Sequence, residues 1–173
     1  RRQRQMCIRD REMIRLKTAV LLAASLKIGA RLGGASVEDA DRLYDFGMHI
    51  GVAFQLKDDL LDVYGNAKVF GKNIGGDILC NKKTYMLIKA LEHANADQHN
   101  QLNSWINAET FQPAEKIAAV TELYDRIGVK AVCENKILEY SNRAMESLAA
   151  VSIAEEKKEE LKKIIENLIH REV

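Results

Sequence analysis

Three aspartates and a glutamine stand in the stretch Phe54-Gln55-Leu56-Lys57-Asp58-Asp59-Leu60-Leu61-Asp62. On a helix turning by 100° per residue, Gln55, Asp58, Asp59 and Asp62 share an arc of roughly 100°. Phe54, Gly47, Gly51 and Leu61 flank that arc on one side, and Val52, Leu56 and Val63 on the other. Lys57 points nearly the opposite way and cannot easily neutralise the acids. Carboxylates one turn apart repel by about 0.2–0.5 kcal/mol even on an exposed helix. Between apolar flanks, each uncompensated charge costs more. The relief is a hydrated acidic helix end, Arg or Lys partners from elsewhere in the chain, or bound cations. Oxygen ligands with no Cys or His nearby suit Mg²⁺, which binds through a few carboxylates, its own waters and substrate phosphates. Taken alone, the spacing leaves these alternatives open, because so short a pattern arises often by chance.

The surroundings narrow the chemistry. Gly71-Lys72-Asn73-Ile74-Gly75-Gly76-Asp77 follows downstream, then Asn81-Lys82-Lys83-Thr84. A glycine-rich loop with lysines lets backbone N–H and ammonium groups approach phosphate oxygens. Upstream, Lys17-Thr18 precedes a run to Leu26 without any charge. Metal-binding acids and lysines beside an apolar wall suggest a diphosphate attached to a hydrocarbon.

These residues need helices to hold them, and the pattern supplies helices throughout. The chain has 173 residues, 47% of them hydrophobic and 29% charged, which is ordinary for one globular domain and argues against disorder. One proline (Pro113) and ten glycines favour long helices over sandwiches or barrels. Helices are expected over Glu12–Leu32, Val37–Tyr64, Lys82–Ala94, Ala96–Asn107, Pro113–Ile127 and Val129–Val151, with a last helix after a Ser152/Glu155 capping box. Gly65 to Gly76 reads as a loop. Ser36 with Asp39 approximates a capping box, and Leu161, Ile164, Ile165 and Leu168 make the buried stripe of the last helix. Glu159–Lys163 is an expected surface pair. Tyr44, Tyr85 and Trp105 are expected in the core, and the four histidines at surface or packing positions.

Several classes are excluded or disfavoured. Net charge is +1, so the electrostatic footprint of a nucleic-acid binder is missing and no such partner is expected. The longest apolar run, Ala19 to Leu26, is far short of the roughly 20 residues that span a bilayer. Cys7, Cys80 and Cys133 have no zinc-type spacing, and their odd number suits a reducing cytoplasmic setting.

The carboxylate stretch Phe54 to Asp62 resembles the second aspartate-rich motif of trans-isoprenyl diphosphate synthases, the polyprenyl synthetase family. Leu16-Lys17-Thr18 resembles that family's Lys-Thr element. Gly71-Lys72 to Asp77, with Lys82 and Thr84, resembles the loop after its motif. The resemblance runs over residues 12–173 and is strongest from Met13 to Leu91. It implies an all-α, isoprenoid synthase-type helical bundle around a central cavity. It also implies Mg²⁺-dependent condensation (Mn²⁺ as substitute) of isopentenyl diphosphate with an allylic diphosphate, and a homodimer when complete. By position, Asp58 is the principal metal ligand, with Asp59 and Asp62 secondary or water-mediated. Lys17 and Lys72 hold the allylic diphosphate, and Lys82 contributes from further away. Thr18 and Gln55 place oxygen dipoles near the developing cation.

The resemblance has a gap. The family's first aspartate-rich motif and its Gly-Lys-Arg element belong N-terminal to the Lys-Thr helix, where this sequence has only Arg1 to Arg11. That basic segment matches nothing and is read as a frayed terminus or as non-native. Residues 12–173 are therefore expected to be the C-terminal portion of one polyprenyl synthetase domain, inactive alone. A non-catalytic regulatory subunit of a synthase is the alternative. A class I terpene cyclase uses similar acids, but the Lys-Thr and Gly-Lys elements argue against it.

Overall fold

A computed structural model describes residues 18–65 and 74–169 of the chain. Lys17, Lys72 and the segment Arg1 to Arg11 lie outside the described residues. The secondary structure described is helical, with no strand among these residues, as the residue pattern predicts. The helices are α1 (Val20–Leu32), α2 (Val37–Tyr64), α3 (Gly76–Leu79), α4 (Tyr85–His93), α5 (Ala96–Asn107), α6 (Pro113–Ile127), α7 (Val129–Ala149) and α8 (Glu159–Ile169). Contacts divide the chain into two compact units, one holding Asp58–Glu134 and the other Arg11–Lys57 with Asn135–Glu172. Helices α2 and α7 each run through a boundary between them.

In the unit that includes α1, a core forms from Phe46, Ile50 and Ala53 of α2, Ala144 and Leu148 of α7, and Ile165 and Leu168 of α8. A second cluster joins Ala19 and Ala23 to Met48. This packing brings α1 very close to α2. A Cβ on Gly47 would stand 2.6 Å from the Ala23 Cα, and one on Gly51 would stand 2.6 Å from the Ala19 Cα. Glycines four apart on α2 thus face alanines four apart near α1, and the backbones meet where any larger residue would hold them off. Elsewhere α1 exposes Leu21, Leu22, Ile28 and Leu32, the last to 85%.

Helix ends follow local chemistry except where a distant partner intervenes. The α1 helix stops at Gly33-Gly34, where Gly34 has φ 85°, and α6 stops at Gly128 with φ 82°. Pro113 opens α6, in the first turn where its missing N–H costs nothing. Ser36 caps α2, its Oγ accepting from the Asp39 N–H at 3.0 Å. The Asp39 carboxylate does not complete that box. It accepts from the Ser152 N–H at 2.9 Å and from Arg42 at 3.0 Å. The Ser152/Glu155 box is correspondingly absent. Ser152 is held by Asp39 and Arg42 instead, a 3₁₀ turn covers Glu155–Lys157, and α8 begins at Glu159. Lys158 is buried and donates to the Ala149 carbonyl, closing the end of α7. Surface pairing on α8 is Glu159–Lys162 and Glu160–Lys163, in place of the expected Glu159–Lys163. Ile164 is 50% exposed, so the buried stripe narrows to Ile165 and Leu168 with Leu161 partly covered.

In the other unit, α3, α4 and α5 all pack on α6. Asn95 and Gln98 form a complete capping box at the start of α5. Helix α4 starts at Tyr85, not Lys82, because the Thr84 side chain accepts from the Leu87 N–H and takes the capping position. Lys82 and Lys83 therefore lie in the connection ahead of the helix.

Replacing Gly51 with alanine tests the α1–α2 contact. Backbone must move to admit the methyl group, at a cost of about 1–3 kcal/mol. A thermal melt should fall by about 2–4 °C per kcal/mol.

Candidate functional site

The acids of α2 meet the connection over residues 74–84 in one unit. Asp59 is 3% exposed. A carboxylate so buried needs a cation, and Lys82 supplies it: Nζ lies 3.3 Å from Asp59 Oδ1 and 2.7 Å from Asp77 Oδ2. Lys82, read from the sequence as a more distant contributor to diphosphate binding, is in direct contact with these acids. Its place in the connection, before the Thr84 cap, is what lets the side chain turn back. Burial works against the ammonium, but the Asp77 hydrogen bond and the charges of Asp59 and Asp77 outweigh it. The net effect holds the lysine above its ordinary range.

Asp62 faces the same connection. Its Oδ2 accepts from the Asp77 N–H at 2.9 Å, and its backbone carbonyl accepts from the Gly75 N–H at 2.6 Å. Gly75 has φ 84°, and a Cβ there would strike the Ile117 side chain at 2.7 Å. Only glycine serves that turn without strain, and it sets α3 against the end of α2. Burial raises the Asp62 carboxyl above its ordinary value; the Asp77 N–H opposes this, and the charges of Asp77 and Asp58 add to it. Asp58 is half-buried on the same helix. Two residues beyond Asp62, the Tyr64 hydroxyl donates to Asp125 at 2.7 Å and its ring lies under Lys130, tying the helix end to α6 and α7.

The other unit holds Thr18 and Gln55. Thr18 and Ala19 have π-helical geometry ahead of α1, an arrangement often found at functional positions. The Thr18 hydroxyl donates to Gln55 Oε1 at 3.4 Å. Two residues singled out from the sequence 37 positions apart are therefore neighbours. Gln55 shares α2 with the acids, while Lys17 and Lys72 lie outside the described residues.

Asp77 was not among the expected site residues, although it ends the glycine-rich stretch. Its carboxylate holds Lys82 and its N–H holds Asp62, so it belongs to the cluster. The available signal was its position directly after Gly75-Gly76. Trp105, expected in the core, is half-buried and lines a cavity of about 20 Å³ with Asn81, Lys82, Lys116 and Tyr124.

Among the described residues, no three His, Cys, Asp or Glu side chains stand close enough to make a metal cage. The donor set nevertheless suits Mg²⁺ bound through one or two carboxylates, with water and phosphate completing the shell. Lys82 shows that a cation already belongs beside these oxygens.

A family-level sequence profile described as Polyprenyl synthetase matches residues 7–124. The chain belongs to the polyprenyl synthetase family. It is 35% identical over 161 residues to a short chain isoprenyl diphosphate synthase of Methanothermobacter thermautotrophicus, covering 93% of this chain and 48% of that protein. A crystal structure of a geranylgeranyl pyrophosphate synthase superposes with TM-score 0.86 at 34% identity, covering 94% of this chain and 51% of that one. The corresponding enzyme of Corynebacterium glutamicum, complexed with isoprenyl diphosphate and magnesium, gives TM-score 0.83 at 31% identity over 93% and 46%. The chain thus spans about half the length of the polyprenyl synthetase relatives it matches. Among the described residues, no helix is long and apolar enough to cross a membrane.

The acidic cluster has a pH signature. Because folding raises the Asp62 pKa, the folded state binds the extra proton. Its stability should therefore decline as pH rises from the ordinary value of 3.8 through the raised one. Urea unfolding without metal should show the wild type losing stability relative to Asp62→Asn as pH rises through that range. The variant should be the more stable of the two at pH 7.

Proposed function

We propose that this chain serves trans-prenyl transfer, the condensation of isopentenyl diphosphate with an allylic diphosphate. The allylic C–O bond breaks and pyrophosphate leaves; the alkene of isopentenyl diphosphate forms the new C–C bond, and a proton is lost. The observation that carries this reading is that Lys82 bridges Asp59 and Asp77 while Asp62 accepts from the Asp77 N–H. Family membership and the magnesium and isoprenyl diphosphate in a relative's crystal structure support it.

Asp58 is the proposed principal ligand to Mg²⁺ or Mn²⁺, with Asp59 and Asp62 secondary or water-mediated. A divalent ion there supplies charge neutralisation to a departing pyrophosphate. Lys82, half-exposed at its side chain, offers its ammonium to phosphate oxygens. Lys17 and Lys72 are assigned to the allylic diphosphate from their sequence positions. Thr18 and Gln55 contribute oxygen dipoles that favour positive charge at the allylic carbon, fixed in advance by their mutual hydrogen bond.

In this reading, further metal ligands and the isopentenyl diphosphate site belong to the half of the relatives' length that this chain does not match. We therefore propose little or no turnover by these 173 residues alone, and a homodimer for the complete protein. The dispersed cysteines support a cytoplasmic setting. The presence of Asp58, Asp62 and Lys72 speaks against a purely regulatory subunit, which needs no metal chemistry.

Calorimetry tests the site without requiring turnover. The chain should bind pyrophosphate only with Mg²⁺ present, and Asp58→Ala should abolish that binding. Equal binding by the variant would contradict the metal assignment. Robust product formation by the isolated chain from the two diphosphates would contradict the incomplete-site reading.

A further inference from the structure

Lys116, on α6, is 1% exposed. Its Nζ donates to Asn81 Oδ1 at 2.8 Å and lies 4.2 Å from the centre of the Phe111 ring. Among the described residues no carboxylate pairs with it, and burial pushes its pKa down. An ammonium with one amide acceptor and one ring face is poorly compensated for the interior.

Its partner is equally unusual. Asn81 has φ 49° and is the one non-glycine residue with positive φ among those described. Asparagine tolerates that left-handed conformation better than most residues, but it still needs holding. Both ends of its amide are held. Nδ2 donates to the Ile106 carbonyl of α5 at 3.0 Å, and Oδ1 accepts from Lys116 of α6. The next residue is Lys82. Its N–H donates to the Asp77 carbonyl at 2.9 Å, and its ammonium reaches Asp59 and Asp77.

We propose that Lys116 is a positioning residue for the acidic cluster: by fixing the Asn81 amide it holds the left-handed turn that aims Lys82 at Asp59 and Asp77. Lys116 touches none of the three acids of α2 and takes no part in the chemistry. The effect on Lys82 follows from the fold, and the effect on pyrophosphate binding rests on the prenyl-transfer reading.

The test compares wild type, Lys116→Met, Asn81→Ala and the double variant Asn81→Gly/Lys116→Met in the 173-residue chain. Methionine keeps the volume of the stem and removes the charge. Alanine breaks the same contact from the other side. Glycine adopts the left-handed turn unaided, so the double variant restores the turn without the clamp. Acetylation of Lys82 by acetic anhydride, followed by peptide mass spectrometry, reads its pairing in metal-free protein. Calorimetry reads pyrophosphate affinity in Mg²⁺, and circular dichroism reports the fold.

Lys116→Met and Asn81→Ala should each acetylate several-fold faster at Lys82, and Lys116→Met should bind pyrophosphate about tenfold more weakly. The double variant should return to wild-type behaviour in both. Unchanged acetylation in either single variant that folds would overturn the proposal. So would a double variant that remains as perturbed as Lys116→Met, because the loss would then be one of packing. If wild type binds no pyrophosphate while acetylation follows the expected pattern, the prenyl-transfer reading fails and the positioning role stands.

Discussion

Asp59 is buried beside two further acids of its own helix, and a fourth carboxylate, Asp77, arrives from the next connection. Like charges in so small a volume are stable only around a cation. Lys82 supplies such a cation, bridging Asp59 and Asp77. Much of the local architecture follows from this requirement. Gly75 makes a turn that a side chain could not make against Ile117. The Asp77 N–H lies on the Asp62 carboxylate. Thr84 delays the start of α4, so that Lys82 stays outside the helix and can turn back.

The same arrangement explains why the cluster suits an exchangeable charge. The acids are not enclosed in a closed cage, and the lysine side chain keeps access to solvent. On the reading proposed above, a divalent ion bound with a diphosphate would share the oxygens of Asp59 and Asp77, and the Lys82 ammonium would turn to phosphate. In the other unit the demand is for fixed dipoles. Close packing of Gly51 against Ala19 brings the start of α1 to α2, and Thr18 and Gln55 meet there.

Much of this was legible in the residues, and the failures share a cause. The limits of α2 followed from a glycine pair, a serine cap and a run of apolar residues. Pro113 and Gly128 marked α6 equally well. The acidic arc was visible from helical spacing because one helix carries it all. What the sequence concealed was decided by long-range partners. Ser152 resembled a cap, but the carboxylate of Asp39, 113 residues away, takes its N–H. The expected helix began at Lys82, whereas Thr84, two residues on, takes the cap. Asp77 sat in plain view, but only the turn at Gly75 shows that it returns to Asp62. Asn81 and Lys116 gave no signal, since neither their spacing nor their types announce a contact across 35 residues.

The central claim is that these carboxylates hold a divalent ion together with a diphosphate, and the most direct measurement is paramagnetic broadening of backbone amide signals. Mn²⁺ titrated with pyrophosphate into the isotopically labelled chain should first broaden Asp58, Asp59, Asp62 and Asp77, leaving the acidic surface Glu155–Glu160 sharp. Broadening that begins at Glu155–Glu160, or that spreads evenly over the exposed acids with Asp58 unaffected, would contradict the account.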